Sequence, residues 1–347
     1  MYIPSYKLTD RLINHLVKLE TDRTIVSSQM TPTPVKARME KRNKTLNLFH
    51  LAHMLDVPIT LKEAEKLAEG KKLATDDKKS IILNNFRNIL EFNRSSVAES
   101  YADIDLNLLN HLNKLLLTDW REPWEAKIRI GDENIDGDFD NWVGLRDQSL
   151  NTANLQSELL AGLEWYKANQ SLVFVLIRIG VLLQRFIRLA PFSYGNKLTA
   201  IALADYLLYR AGYTGRSFLP IMRSFDVNGE DYIEALVMAG EINDVTIWIE
   251  RFVRNLAVDM ADVREEYFNL VAEQEKSTKQ PFLDLNKRQL KILRYLQTIP
   301  TVRREDYCQM MEVSTMTAFR DLTDLVTKKL IKIEGQGRGT KYMLYNR

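Results

Sequence analysis

The sequence predicts a mainly α-helical protein that ends in a small α+β module. Three observations carry this. Glycine and proline are sparse, 14 and 9 of 347 residues, and apolar residues recur every three or four positions, the period of a helix. After Asn286 the pattern changes to three short helical stretches, an alternating apolar run, a glycine-rich turn and a returning run. The charge changes at the same place. Between Asn286 and Arg347 there are 13 Lys or Arg and 6 Asp or Glu, a net +7 on a chain whose total is +2, so the rest carries −5. A basic end on an acidic body points to a polyanionic partner for that end.

Bulk composition narrows the class. With 45% hydrophobic and 27% charged residues, the chain has the make-up of a globular protein with a real core, and its length suits two or three domains. Cys308 is the single cysteine, so neither an intrachain disulfide nor a cysteine metal cluster is expected, and a reducing, cytoplasmic setting fits. Met1 to Asp10 lack the basic-then-apolar order of a signal peptide. The most apolar stretch, Leu172 to Leu189, is interrupted by Arg178, Gln184, Arg185 and Arg188, which argues against a membrane span.

Along the body, Leu172, Val175, Leu176, Ile179, Leu182, Leu183 and Phe186 form one apolar stripe and predict a long buried helix. It stops at Ala190-Pro191, because proline disfavours helix in the residue before it. A second helix follows with Leu198, Ile201, Ala204 and Leu208 on one face, ending near Arg210 and Gly212. Lys127 to Gly144, where Ile128 and Ile130 alternate with charges before an acidic turn, predicts a short β-hairpin. Glu273 to Pro281 is polar and predicts a linker.

The last module divides into helices over Arg288 to Leu296 and Arg304 to Met311, and a third opened by Ser314 as N-cap, with Ala318, Leu322, Leu325 and Val326 on its buried face. Ile331 to Glu334 and Lys341 to Leu344 form a hairpin across Gly335 to Gly339. Through Ser314, Thr317, Ala318, Arg320, Asp321, Leu322 and Gly337 to Thr340, the module resembles winged-helix domains of bacterial regulators. The resemblance implies a third helix in the DNA major groove, with Ser314, Thr315, Thr317 and either Phe319 or Arg320 meeting bases or phosphates. Arg338 and Lys341 on the wing would reach the backbone or minor groove. Two alternatives stand beside this reading: a winged helix can dock proteins, and Arg320 can pair with Asp324 four residues on.

Between the two strong helices stands Ala190-Pro191-Phe192-Ser193-Tyr194-Gly195-Asn196-Lys197-Leu198. Here the chain resembles the Fic family, whose signature is His-Pro-Phe-x-(Asp/Glu)-Gly-Asn-Gly-Arg in the same helix-loop-helix setting. Pro191, Phe192, Gly195 and Asn196 match, and the resemblance runs from roughly Ile104 to Leu256, including Tyr206 to Gly212 and Tyr232, Trp248 and Phe252. It implies a helical body that transfers a nucleotide monophosphate, usually AMP from ATP, to a protein hydroxyl. The departures point the other way. Ala190 stands where the family has its general base and accepts no proton. Tyr194 replaces an acid that helps hold Mg²⁺. Lys197 crowds a glycine position, and Leu198 replaces the arginine that clamps phosphate. None of His15, His50, His53 or His111 lies near the motif in sequence.

What the loop retains allows two readings. Gly195, Asn196 and Lys197 open a helix and could present N–H groups to an anion such as the phosphates of ATP or another nucleotide. Alternatively, Gly195-Asn196 simply turn the chain between packed helices. The family's inhibitory (Ser/Thr)-x-x-x-Glu-(Gly/Asn) helix has its counterpart at Ser27 to Pro32, with Thr31 and Pro32 in place of Glu and Gly. Residues 127–144 would correspond to the flap that aligns target proteins, or to a plain surface loop. Asp132, Asn134, Asp136, Asp138 and Asp140 imitate the start of a calcium loop, but Val143 stands at the closing position. His50 and His53 lack a third ligand. No metal site and no required cofactor are expected.

The expected organisation is a helical region at 1–103, a Fic-like domain at 104–272, a linker at 273–285 and a winged-helix DNA-binding domain at 286–347. The leading functional expectation is a DNA-binding regulator whose body, inactive as a transferase, serves as scaffold, homodimerisation surface or ligand sensor. A divergent nucleotidyl or phosphoryl transferase, and a module that sequesters a protein through the flap, are the alternatives.

Overall fold

The computed structural model describes the chain except residues 1, 29–30, 72–76, 99–103, 131–133, 138–141, 147–153, 216–217, 284, 336 and 346–347, and the side chains of residues 28, 98, 143, 276–283 and 338. The chain divides into two compact units, Met1–Phe268 and Asn269–Arg347. Among the described residues, no helix is long and apolar enough to cross a membrane.

The first unit contains helices α1 (Asp10–Ser28), α2 (Thr33–Met54), α3 (Leu61–Ala68), α4 (Lys78–Ala98), α5 (Leu106–Leu117), α6 (Leu155–Ala168), α7 (Val175–Leu189), α8 (Asn196–Arg210), α9 (Ile221–Val227) and α10 (Gly229–Ile242). It also holds the start of α11 (Thr246–Leu283), within which the two units divide. Glu273 to Leu283, most of which reads as linker from the sequence, continue this helix. Glu, Gln and Lys are good helix formers, so a polar run rich in them carries a helix onward, and Pro281 stands only in its last turn.

The core centres on α7 and α8. Helix α8 packs against α4, α5 and α7 and is buried on nearly all sides from Leu198 to Leu208, which explains its run of Ala and Leu. The apolar stripe of α7 is buried as predicted, except at its start. Leu172 lies before the helix and is 82% exposed, because the first turn begins only at Val175 after Phe174. Helix α8 ends at Arg210, and Gly212 beyond it takes a left-handed φ of 84°. Trp248 of α11 stacks on Phe252 at 5.9 Å and meets Tyr232 at 5.5 Å. Its indole N–H donates to the Gly180 carbonyl at 2.7 Å. Gly180 faces Phe252, Ile249 and Trp248 of α11 across this contact.

The second unit contains the rest of α11, then α12 (Lys287–Thr298), α13 (Arg304–Met311), α14 (Thr315–Thr327), β1 (Ile331–Glu334) and β2 (Lys341–Leu344). The strands pair antiparallel, Ile331 opposite Leu344 and Glu334 opposite Lys341. Val302 adds a short third rung by exchanging two backbone hydrogen bonds with Tyr342, at 2.9 and 2.8 Å. Ile292, Leu296, Tyr307, Ala318, Leu322, Leu325, Ile331 and Tyr342 form the core, with Val326 partly buried against it. Gly335 makes the turn possible: its φ is 83°, and a Cβ there would come within 2.8 Å of the Gly339 carbonyl.

Candidate functional site

The motif loop is built from the ends of α7 and α8 inward. Ala190 closes α7 in a left-handed conformation, φ 42° and ψ 65°. The buried Arg129 holds that end, its Nε donating to the Ala190 carbonyl at 2.9 Å and its Nη2 to the Leu189 carbonyl at 3.2 Å. A guanidinium at a helix C-terminus satisfies carbonyls that lack intrahelical partners and opposes the negative end of the dipole. Gly195 then takes φ 69° as N-cap of α8, and a Cβ there would stand 2.7 Å from a methyl of buried Leu116.

The polar groups of the loop are committed inward. The Phe192 N–H donates to Asn196 Oδ1 at 2.9 Å, and Asn196 Nδ2 donates to the Phe192 carbonyl at 2.7 Å. Asn113 Nδ2 donates to the Tyr194 carbonyl at 2.9 Å and to Thr199 Oγ1 at 3.1 Å. Phe192 and Leu198 are buried, as are Ala190 and Pro191. The Lys197 ammonium lies over the Trp142 ring, 5.6 Å from its centroid, a cation–π contact. The Tyr194 ring lies under the Arg121 guanidinium at 4.2 Å. Burial first, and the nearby Glu125 charge second, raise the Tyr194 phenol above its ordinary pKa, which keeps it neutral.

The flap segment meets this loop directly. Ile128 pairs antiparallel with Phe192, the Arg129 N–H donates to the Pro191 carbonyl at 2.9 Å, and the Asp136 N–H donates to the Ser193 carbonyl at 2.8 Å. Among its described residues, 127–144 therefore pairs with the motif loop and not with itself: the alternation at Ile128 and Ile130 finds its partner strand across the molecule. Asp136 pairs with Arg121 at 2.7 Å, which takes one carboxylate of the run that imitates a calcium loop. Asp132, Asp138 and Asp140 lie outside the described residues. A cleft of about 590 Å³ lined by Lys114, Thr118, Trp120, Arg121 and Glu125 flanks this corner. In the counterpart of the inhibitory segment, Gln29 and Met30 lie outside the described residues, and the Thr31 hydroxyl bonds the Tyr267 phenol at 3.5 Å. His50 and His53 share one partner, their Nδ1 atoms lying 2.8 and 2.7 Å from the two oxygens of Asp226.

Helix α14 of the second unit is built the opposite way. Ser314 caps α14, its hydroxyl accepting from the Thr317 N–H at 3.3 Å and lying 3.1 Å from Thr317 Oγ1. Ala318, Asp321, Leu322 and Leu325 face inward. Thr315, Met316, Phe319, Arg320 and Thr323 are exposed. Asp324, the i+4 partner that the sequence offers Arg320, is instead held by Lys328 and Gln289, both at 2.7 Å. Arg320 makes no ion pair among the described residues. Lys341 stands on β2 opposite Glu334, and the side chain of Arg338 lies outside the described residues.

Asp321 ties the module together. Its carboxylate accepts from Arg288 Nε at 2.8 Å, Asn286 Nδ2 at 2.8 Å and the Tyr307 hydroxyl at 2.9 Å. Burial alone would raise its pKa, but the hydrogen bonds from Arg288, Asn286 and Tyr307 together hold the carboxyl below its ordinary range. Sequence reasoning placed Asp321 on this helix without its role. It also missed Arg129 and the exposed Met316. Met316 was open to inference, since it lies opposite the buried face defined by Ala318, Leu322 and Leu325.

Comparison with solved structures places the chain in the Fic fold. A Fic family protein from Desulfovibrio desulfuricans G20 superposes with a TM-score of 0.62 at 16% identity, covering 100% of this chain and 99% of that one. A Fic domain containing signaling protein from Bacteroides thetaiotaomicron VPI-5482 gives 0.57 at 14% identity, covering 75% and 98%. Fic-1 from C. elegans gives 0.55 at 17% identity, covering 74% and 71%. Residues 288–336 match the DeoR-like helix-turn-helix domain family. No curated protein matches the chain in sequence. The chain is thus a Fic-fold protein with a DeoR-like helix-turn-helix domain at its C-terminal end.

Proposed function

We propose that this chain is a cytoplasmic DNA-binding regulator of transcription whose Fic-fold body is not a working transferase but a scaffold or ligand sensor. The observation that carries the reading is the face of α14: Thr315, Phe319 and Arg320 are exposed, and Arg320 forms no ion pair among the described residues, on a segment with a net charge of +7. A helix-turn-helix domain places this face in the major groove while surrounding cations contact phosphates. On the body, Ala190 offers no proton acceptor, Leu198 no donor, and Asn196 spends both amide atoms on Phe192. Loss of a general base alone costs about 10²–10⁴ in rate. These features support the turn reading of Gly195-Asn196-Lys197 over the anion-site reading.

The test is duplex-DNA binding by the full chain across a salt series. Affinity is expected to fall roughly ten- to a hundredfold between about 50 and 200 mM salt, as for release of counterions at a few phosphate contacts. Binding that is absent, or flat with salt, contradicts the reading. Robust transfer of a labelled nucleotide to a protein, abolished by Lys197→Ala, would replace it with the transferase reading.

A further inference from the structure

The chemistry on the outward face of α14 is unusual for a DNA reader. Among Thr315, Met316, Phe319, Arg320 and Thr323 there is one cation and no Asn, Gln, Lys or carboxylate. Arginine suits the O6 and N7 acceptors of guanine. Adenine is read in two-point fashion by the amides of Asn or Gln, and cytosine by Asp or Glu. No Asn or Gln stands on this face, and the carboxylate on its flank, Asp324, is held by Lys328 and Gln289. Besides Arg320 and the two threonines, what remains is apolar: Met316 is 63% exposed and Phe319 45% exposed. The Arg304 guanidinium lies over the Phe319 ring at 5.2 Å, which backs the ring with a cation.

The one apolar feature on a major-groove edge is the C5-methyl of thymine. Resting on the DNA-binding reading above, we propose that α14 recognises its site through thymine methyl groups packed against Met316 and Phe319. The spacing fits. Positions 316, 319, 320 and 323 form one stripe along the helix, so the two apolar side chains meet neighbouring base steps. The net +7 of the module supplies the phosphate attraction that methyl contacts lack, and this favours a DNA groove over a second copy of an equally basic module as the occupant.

The experiment uses the full chain. A bound sequence is selected from a randomised duplex pool and resynthesised with deoxyuridine for thymidine one position at a time, which removes only the methyl. Affinities are read by fluorescence anisotropy at fixed salt. At each contacted thymine, binding is expected to weaken about fourfold, the loss that goes with unburying one methyl-sized group. Met316→Ala combined with Phe319→Ala should remove the thymine-over-uracil difference while leaving the salt slope unchanged. Both side chains are exposed, so folding is spared, and thermal unfolding verifies this. Equal binding of thymine and uracil duplexes overturns the proposal and leaves DNA binding intact. A thymine preference that survives in the double variant overturns the assignment to these residues. No binding to any duplex overturns both readings together.

Discussion

Two helix starts in this molecule look alike in sequence and behave oppositely. Helices α8 and α14 each follow a sharp turn with a left-handed residue, Gly195 at φ 69° and Glu312 at φ 53°, and each opens with polar residues. At α8 the side chains turn inward: Asn196 staples Phe192, Lys197 lies on Trp142, and Leu198 is buried. At α14 the cap is satisfied locally by Ser314, while Thr315, Met316 and Arg320 face outward and Arg320 stays out of any ion pair among the described residues. The difference teaches that two similar helix starts can turn their groups inward or leave them exposed, and on the function proposed above only the second serves binding. A retained motif residue is not by itself retained chemistry.

Asn196 strains this contrast most. Asn196→Ala removes both hydrogen bonds to Phe192 and leaves two buried backbone groups unpaired, so urea unfolding of the body should show a loss of about 2–4 kcal/mol. If Asn196 served a ligand and not the turn, stability would hold and only ligand binding would fall. The corresponding change in the second unit is Asp321→Ala, which strands the Tyr307 hydroxyl and Arg288. A loss of about 2–3 kcal/mol is expected for that unit, with DNA affinity falling only as far as the fold does.

Asp321 also sets a pH dependence. Its folded pKa lies below the ordinary 3.8, so its stabilisation is complete above that value and fades as pH falls through the lower folded value. Acid unfolding of Asp321→Asn should lack this component. A smaller effect of opposite sign belongs to His53, whose pKa is raised above 6.5 first by its hydrogen bond to Asp226. Its contribution is present below about 6.5 and is lost as pH rises through the raised folded value. His53 is largely exposed, so solvent weakens the pair. A His53→Gln chain should show a slightly flatter stability profile as pH rises above about 6.5.

Much of the fold was legible because its signals are local. The α7 stripe, the stop at Ala190-Pro191, the Ser314 cap and the strands at Ile331 and Lys341 each follow from a period or a cap within one segment. Where the sequence misled, the deciding contact was distant. Ile128 pairs with Phe192, and Arg129 holds carbonyls about sixty positions away, at Leu189 and Ala190. No periodicity in 127–144 could name that partner. Leu172 was counted into the stripe because it is apolar, but a helix boundary is set by the backbone and not by the side chain's taste for burial. The content of the motif loop was readable as substitutions. Its inward commitment was not, because Asn113, Trp142 and Arg121 come from other segments.

The most direct test sets the two helix starts side by side. Lys197→Ala and Arg320→Ala chains are titrated with the same duplex at the same salt. Lys197→Ala should bind as the unaltered chain does, and Arg320→Ala should bind at least about tenfold more weakly, in the range of losing one arginine contact. Weak binding by Lys197→Ala with full binding by Arg320→Ala would contradict the assignment of function to the second unit.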